Sequence, residues 1–292
     1  MNDRKKIAIL IHENDRGFFT YPPFIMLLKR EWETYGFSVE VVRGIRNPID
    51  ADVVIPHIDL TIRPDEYREL IDRHPHVVNR NVVDISRSKF SANILERDES
   101  FTGPVIVKTD RNHGGLPEKR LAATTNTYVV LSRLHAEKIL FMLHRLGFWN
   151  RLDYLDPHNY PVFNSLQEVP REVFDNRNLI VEKFLPEIDK GYYCLRRWIF
   201  LGDKGVNVIS KSKERIIKPL NTISIEEAPV PEELYQIRQS LCFDYGKFDY
   251  VLRDGKVVLF DINRTLASGG NKPSAFAFNC ARTVAEGIWS FL

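Results

Sequence analysis

The amino-acid sequence predicts a mixed α/β and α+β fold, with a small α/β unit at the N-terminus. Short β-branched runs alternate with helical patterns in the first third of the chain, which is typical of a parallel sheet covered by helices on both faces. The last third is dominated by strand patterns before a closing helix. A length of 292 residues agrees with about two domains, or one domain with subdomains, at roughly 150 residues per domain.

The composition is that of a globular chain with little net charge. Apolar residues make up 43% and charged residues 27%, which excludes collagen-like and mostly disordered classes. The formal net charge of +2 is too small for a general nucleic-acid or membrane-surface binder, so an anionic ligand would need a local cluster of cations. Three widely spaced cysteines indicate a reducing compartment. With no targeting or membrane-spanning segment in the sequence, we expect a cytoplasmic protein.

Hydrophobic periodicity predicts the elements of the first third. Residues 6–11 form a β-branched run and are expected to be a strand. Residues 24–35 carry apolar side chains at helical spacing, and Gly36 ends that helix. Further strands are expected at 37–42, 51–56 and 77–78, with a helix at 64–73. We assign residues 1–85 to an N-terminal α/β domain.

The rest of the chain mixes helices and strands less regularly. In the middle we expect helices at 86–95 and 131–146, and strands at 104–108, 162–163 and 178–184. In the last third we expect strands at 192–201, 206–210, 247–252 and 257–262, and helices at 231–242 and 273–291.

Two apolar strands around Asp254-Gly255 predict a β-hairpin that carries acidic side chains. Strand alternation places Asp261 and Asn263 on one face of the second strand. Carboxylates on an apolar strand are costly to bury unless they are paired or bound to metal. Together with Asp249 on the first strand, these side chains offer hard oxygen ligands suited to Mg²⁺ or Mn²⁺.

The length of the hairpin loop is a test of this metal-site hypothesis. A two-residue turn would place Asp249 opposite Phe260, on the other face from Asp261. A three-residue loop, with Gly255 at a left-handed bulge position, returns both acids to one face. The hypothesis therefore predicts an odd-length loop, and a two-residue turn would contradict it.

Two further segments carry residues suited to binding a nucleotide. Lys108 ends an apolar strand and precedes a loop with Gly114 and Gly115, which is a plausible phosphate grip but not a Walker-type P-loop. Residues 178–187 run from an apolar strand into an acidic, then aromatic, then acidic segment.

The order and spacing of these segments resemble the ATP-grasp superfamily from about Lys89 to the C-terminus. The resemblance implies an ATP-grasp fold, in which a central subdomain at 86–185 and a C-terminal subdomain at 186–292 clamp ATP. The small domain at 1–85 would be the domain that usually precedes them. Asp261 stands where the family commonly has Glu, and the glycine loop is shorter than usual.

The resemblance also implies roles for individual residues. The nucleotide would be held by Lys89, Lys108, Gly114, Gly115, Glu182, Lys183, Phe184, Leu185 and Glu187. The backbone of Lys183 and Leu185 would bind the adenine edge, with Phe184 in the apolar wall. Glu187 would contact the ribose, with Asp189 as a competing candidate. Arg197 and Lys211 would face the transferred phosphoryl group, and Asp249, Asp261 and Asn263 would bind Mg²⁺ or Mn²⁺.

The implied activity is an ATP- and Mg-dependent, ADP-forming ligase. It would activate a small-molecule or peptide carboxylate as an acyl phosphate and join it to an amine. A small-molecule kinase that phosphorylates a hydroxyl group is the alternative, and a non-catalytic nucleotide-binding module is a third reading. The acceptor pocket is expected at 12–16, 57–61 and 264–271. The sequence indicates neither the substrates nor the oligomeric state.

Overall fold

Three β-sheets follow one another along the chain in the computed structural model, which describes residues 4–122, 148–157, 159–268 and 273–292. The first sheet is three-stranded and parallel, in the order β2-β1-β3. Its elements are β1 (Lys6–Ile11), α1 (Ile25–Thr34), β2 (Ser38–Arg43), β3 (Val53–His57) and α2 (Asp65–Asp72). Trp32 of α1 and Tyr67 of α2 lie in different buried clusters, each containing residues of β1 and β3. The predicted α/β unit with a parallel sheet is confirmed.

The second sheet is a small antiparallel one in the middle of the chain, in the order β5-β4-β6. This part contains α3 (Arg87–Phe90), β4 (Val105–Thr109), α4 (Leu116–Ala122), β5 (Val162–Phe163), α5 (Arg171–Phe174) and β6 (Leu179–Lys183). Every residue of β4 is buried. After β6 the chain passes directly into the third sheet, so the second and third sheets are adjacent in sequence.

The third sheet is antiparallel, in the order β10-β9-β8-β11-β12 with β7 beside β8. Its part of the chain contains β7 (Glu187–Asp189), β8 (Tyr192–Leu201), β9 (Lys204–Ser212), β10 (Ser224–Glu227), α6 (Glu232–Ser240), β11 (Tyr245–Arg253), β12 (Lys256–Asn263) and α7 (Ala275–Ala285). Trp198, Phe200 and Phe248 form an aromatic core on one of its faces. The mixed α/β and α+β fold class is thereby confirmed.

Several predicted elements differ from those observed. The helix expected at 86–95 is wrong beyond Phe90, because the chain there pairs with β6 instead: Leu95 N–H donates to Val181 and Lys183 N–H donates to Asn93. The strand expected at 77–78 is reduced to one bridge between Val54 and Val77. The strands β7 and β10 were not predicted. The helix expected at 131–146 lies outside the described residues.

The N-terminal unit shares its core with the end of the chain. Trp32 packs in the same buried cluster as Leu201, Tyr245 and Val284, and its indole N–H donates to the carbonyl of Ala285 at 3.0 Å. Buried Asn79 adds four hydrogen bonds to Asp244 and Tyr245, at 2.6–3.0 Å. The boundaries expected at 85 and 185 remain predictions. The shared core contains residues from 1–85 and from 186–292.

Arg264, the residue after β12, also ties the C-terminal sheet to the N-terminal unit. Its buried guanidinium donates to the carbonyls of Leu60, Val82 and Val83 at 2.8–3.0 Å. Burial lowers the pKa of Arg264 to about 9. Among the described helices, none combines the length and the apolar composition needed to cross a bilayer.

Candidate active site

The hairpin of β11 and β12 has a two-residue turn, so the expected odd-length loop is wrong. Arg253 pairs directly with Lys256, and Asp254 and Gly255 between them have φ values of +51° and +78°. Positive φ at both central residues is the conformation that an Asp-Gly hairpin turn favours. Taken alone, this turn would place the two acids on opposite faces, so the test of the metal site by loop length fails, and the site depends on another feature that realigns the acids.

A β-bulge further along the hairpin restores their alignment. Tyr250 pairs with Leu259, but Asp249 pairs with Asp261, which leaves Phe260 as an extra residue on β12. Directly opposed residues of an antiparallel pair share a face, so Asp249 and Asp261 lie side by side. The next pair on that face is Lys247 and Asn263. The predicted oxygen ligands therefore come together through a bulge that has no turn signal in the sequence.

The three candidate metal ligands differ in how their oxygens are engaged. Asp249 Oδ2 accepts from Lys247 Nζ at 2.7 Å, whereas Asp249 Oδ1 is buried and has no hydrogen-bond partner. Asp261 Oδ1 accepts from Arg87 Nη2 at 2.9 Å. Asn263 Oδ1 accepts from the Thr265 N–H at 2.8 Å.

This donor set fits a hard divalent cation. A buried carboxylate oxygen without a partner is costly, and Asp249 Oδ1 would gain an ion as its missing partner. Two carboxylates and an amide oxygen are the ligand type that Mg²⁺ prefers. Within the described ranges, no group of three or more His, Cys, Asp or Glu side chains could hold a metal. A site here would depend on Asn263 and on oxygens from a ligand.

Lys108 and Glu182 form a buried ion pair beside these acids. Lys108 Nζ lies 2.7 Å from Glu182 Oε2, and its ammonium lies 5.4 Å from the centre of the Phe260 ring. Burial opposes the charge of Glu182, but Lys108, Arg87 and a hydrogen bond from Ser91 together hold its pKa below the ordinary value. The ring of the bulge residue therefore lies within cation–π distance of the lysine of the second sheet.

Arg87, rather than Lys89, is the buried cation that α3 contributes. Its guanidinium donates to the carbonyls of Thr109 and Arg111, at 3.0 and 2.6 Å, and to Asp261. Burial acts to lower the pKa of Arg87, but the Asp261 carboxylate keeps it above the ordinary value. Lys89 is exposed.

Lys218 is a further cation of the site that sequence reasoning missed. It follows β9 and lies half-buried, with Nζ donating to the carbonyl of Pro157 at 2.5 Å. Burial lowers the pKa of Lys218, while the nearby carboxylates of Asp249 and Asp261 act to raise it. Its position just before Pro219, after two apolar residues, was the available signal.

The β8 strand sends its two arginines to opposite faces of the sheet. Arg197 is paired with Asp249 and so lies on the same face, where it donates to Ser210. Arg196 lies on the other face and binds Glu187 at 2.8 Å. We call the following residues the charged cluster: Arg87, Lys108, Glu182, Arg197, Lys218, Lys247, Asp249 and Asp261.

The structure does not bring Lys211 or Glu187 to the charged cluster. Both are paired with Cys194, which places them on the face of Arg196. Lys211 binds Asp189 at 3.1 Å and Glu226 at 3.3 Å. Glu187 also accepts from the Leu252 N–H at 2.8 Å.

The two glycines after β4 have a packing reason for being glycine. Gly114 and Gly115 adopt φ values of +69° and +80°, which favour glycine. A Cβ on Gly114 would lie 2.1 Å from the carbonyl oxygen of Leu155, and one on Gly115 would lie 3.0 Å from that of Asp153. The loop is therefore packed against the segment that contains Leu155 and Pro157, and the carbonyl of Pro157 accepts from Lys218.

The segment expected to bind adenine connects the second sheet to the third. The Lys183 N–H donates to Asn93, and the Phe184 N–H donates to Pro104, each at 2.9 Å. Phe184 and Leu185 are half-buried. The adenine contacts of Lys183 and Leu185 stay predictions.

A second polar cluster lies at the carboxyl ends of β1 and β3, where open α/β sheets commonly bind ligands. Asp59 accepts from Arg120 Nη2 at 2.5 Å and from Thr265 Oγ1 at 2.6 Å. Arg120 also lies 3.8 Å from buried Asp15, whose pKa is raised by burial. The expected acceptor segments 12–16, 57–61 and 264–268 thus meet, while 269–271 lie outside the described residues.

Comparisons with known proteins give no family for the chain. No protein-family model matches it, and no curated protein matches its sequence. A RimK-domain ATP-grasp protein from Sphaerobacter thermophilus is 11% identical with a TM-score of 0.48, covering 97% of this chain and 99% of that one. D-alanine–D-alanine ligase from Bacillus anthracis is 9% identical with a TM-score of 0.47, covering 98% and 97%. The macrocyclase MdnC with precursor peptide MdnA, from Microcystis aeruginosa, is 11% identical with a TM-score of 0.48, covering 96% and 99%.

Proposed function

We propose that this protein is an ATP- and Mg-dependent, ADP-forming ligase that joins a carboxylate to an amine. The observation that carries the proposal is the composition of the charged cluster. It gathers five cationic side chains and three carboxylates where the second and third sheets meet, in a chain whose net charge is only +2. A local cationic excess next to an unpartnered carboxylate oxygen, Asp249 Oδ1, suits a polyphosphate and its divalent ion.

The role of each residue follows from its charge and position. Lys108, Lys218 and Arg197 would bind phosphate oxygens, and Asp249, Asp261 and Asn263 would hold Mg²⁺. The bound ion would neutralise the negative charge that develops on the phosphate oxygens during phosphoryl transfer. The sequence resemblance to the ATP-grasp superfamily adds adenine binding at Lys183 to Leu185, between proposed subdomains at 86–185 and 186–292.

The reaction itself needs positioning more than side-chain chemistry. A carboxylate oxygen attacks the γ-phosphorus of ATP, the bond from that phosphorus to the β–γ bridging oxygen breaks, and ADP leaves. The amine nitrogen then attacks the acyl carbon, loses a proton and expels inorganic phosphate. The acids and amines would enter from the cluster at Asp15, Asp59 and Arg120.

The test is ADP release across pairs of acids and amines, with mass spectrometry of the products. A ligase releases ADP and forms a condensed product only when both an acid and an amine are present. ADP release with a hydroxyl compound alone, yielding its phosphate ester, would support the kinase alternative instead. Tight ATP binding without any turnover would contradict both.

Asp261→Asn is expected to abolish turnover without unfolding the chain, because it removes the charge from a proposed metal ligand. Asp254→Asn is the matched control, since Asp254 lies at the tip of the same hairpin with its side chain 91% exposed. Turnover should be measured at saturating ATP and Mg²⁺, with an unfolding curve for each variant. Full activity of Asp261→Asn would contradict the metal role.

A further inference from the structure

We propose that Tyr160 is a further phosphate-binding residue of the site, and that its hydroxyl group donates a hydrogen bond to the nucleotide at the end of the polyphosphate that carries the metal ion. This inference rests on the proposed function, because that function supplies the nucleotide. Two observations support it: the face of the second sheet on which Tyr160 lies, and the lack of a partner for its hydroxyl group.

The register of the second sheet places Tyr160 beside Lys108. The Val107 N–H donates to the carbonyl of Pro161 at 2.9 Å, and β5 runs antiparallel to β4 from the next residue onward. Continued by one residue in the other direction, this register sets Tyr160 opposite Lys108. Opposed residues of an antiparallel pair share a face. Tyr160 therefore lies on the face of the second sheet from which Lys108 reaches Glu182.

The hydroxyl group of Tyr160 is buried and unpartnered. Its Oη atom has no hydrogen-bond partner among the residues that the structure describes. Thr109 and the backbone of Gly114 lie near it, but neither completes a hydrogen bond to it, and Thr109 Oγ1 donates to the carbonyl of Arg111 instead. A buried tyrosine hydroxyl normally has a partner, because leaving it without one is costly. A bound molecule could supply the partner that the described chain does not.

The groups around Tyr160 Oη indicate what that molecule is. Burial raises the pKa of Tyr160, while the nearby charge of Arg87 acts to lower it and that of Asp261 acts to raise it further. Since its pKa lies above the ordinary value, the hydroxyl group keeps its proton near neutral pH and can donate it to an acceptor. A donor beside Lys108, Arg87 and the proposed metal ligand Asp261 suits a phosphate oxygen that also binds the ion.

The position of Tyr160 is fixed by the chain on both sides of it. On one side, the carbonyl of Pro157 accepts from Lys218, and on the other, Pro161 is bonded to β4. The ring of Tyr160 packs against the buried cluster of the second sheet. Little ordering is therefore needed when the hydroxyl group binds. Because Oη is closed off from water, the side chains around it must move apart as the phosphates enter.

The test compares two nucleotides in one variant. Tyr160→Phe removes the hydroxyl group and keeps the ring. The affinity for a non-hydrolysable ATP analogue with Mg²⁺ is expected to fall by about tenfold, because a hydrogen bond to a charged group is lost. The affinity for AMP, which lacks the metal-bound end of the polyphosphate, should stay unchanged. Calorimetry measures the first affinity, and displacement of a fluorescent ATP analogue measures the second.

Unfolding in urea without nucleotide gives a second readout. Tyr160→Phe should be at least as stable as the wild type, because it removes a buried hydroxyl group that has no partner. Tyr250→Phe is the matched control. Tyr250 lies opposite Arg196 on the other face of the third sheet, and its Oη donates to Asn207 Oδ1 at 3.1 Å. This control should lose stability and bind the ATP analogue like the wild type.

Three results would count against the assignment or its basis. If Tyr160→Phe binds the ATP analogue like the wild type, the proposal is overturned. An equal loss of affinity for the analogue and for AMP, or a loss of stability like that of Tyr250→Phe, would overturn it too, because the hydroxyl group would then be structural. A wild-type protein that binds no nucleotide would instead contradict the proposed function.

Discussion

Arg87 and Lys89 lie two residues apart on α3, but only Arg87 is buried. Successive helical residues are rotated by about 100°, so these two side chains leave the helix in different directions. The sequence indicates a cation-bearing segment before β4, but it cannot select the residue that faces Asp261, which is 174 positions away. The choice depends on how the second and third sheets approach each other.

Lys218 is a second cation that the sequence alone does not select, and its role in the site can be tested. Lys218→Gln is expected to weaken the binding of ATP with Mg²⁺ by about tenfold or more, because a charged hydrogen bond to phosphate contributes roughly 1.5–3 kcal/mol. Binding should be measured by calorimetry. Lys213→Gln, in the same loop at an exposed position, is the control and should bind normally. Equal affinity of the two variants would place Lys218 outside the site.

His57 at the end of β3 predicts a pH dependence of stability. It is 3% exposed, and burial lowers its pKa to about 4 from the ordinary histidine value of about 6.5. The unfolded chain gains a proton near pH 6.5, whereas the folded chain does so only near pH 4. The free energy of unfolding should therefore decrease from about pH 6.5 to about pH 4, by on the order of 3 kcal/mol from this residue.

Urea unfolding at a series of pH values measures this effect. His57→Gln should flatten the curve between pH 4 and 6.5, because it removes the titrating group. His76→Gln, at an exposed position, should keep the wild-type slope. A slope that is unaffected by His57→Gln would show that other groups cause the loss of stability.

At the scale of elements, the strands and helices with strong periodicity were predictable. The continuous apolar run of β1 and the spacing of Leu28 and Trp32 in α1 identify those elements, because each buries a complete stripe of side chains. The short strands β7 and β10 were missed because they carry polar residues and pair only at positions set by their neighbours. The local pattern of apolar residues in the sequence does not indicate such pairing.

The bulge at Phe260 shows why part of the candidate site could not be predicted. The face of Asp261 follows from alternation on β12, but its alignment with Asp249 depends on one extra residue inside the strand. Phe260 has the apolar character of an ordinary strand residue, and its ring lies beneath Lys108 of another sheet. The residue types therefore indicate the chemistry of the site. The alignment of Asp249 with Asp261, in contrast, is set by contacts between strands.

The loop after β4 predicts a measurable cost of substituting its first buried glycine. Gly114→Ala should lower the free energy of unfolding by about 3 kcal/mol or more, because a strained positive φ adds to overlap with the Leu155 carbonyl. Gly191→Ala is the matched control, since Gly191 has a φ of +83° and no heavy atom within 4 Å of its Cβ position. Chemical denaturation compares them, and equal losses would rule out the close packing.

At the scale of the whole molecule, Asn79 joins the N-terminal unit to the third sheet. Asn79→Ala is expected to cost about 3–5 kcal/mol, because it removes three buried side-chain hydrogen bonds and strains a φ of +58°. Asn81→Ala, at an exposed position nearby, should cost little. Unfolding followed by tryptophan fluorescence and by circular dichroism should give one coincident transition for each protein. Separate transitions would contradict a shared core.

The core shared by α1 and α7 has a consequence for how the chain is made. Trp32 and its partner Ala285 are separated by 253 positions, so this contact has one of the longest loops the chain can close. A ribosome that has synthesised the first sheet must add most of the remaining chain before α7 emerges to cover it. During that interval the apolar face of α1 is open to solvent and to chaperones. Slowing translation between α1 and α7 should therefore increase aggregation of the nascent protein, whereas slowing it before α1 should not.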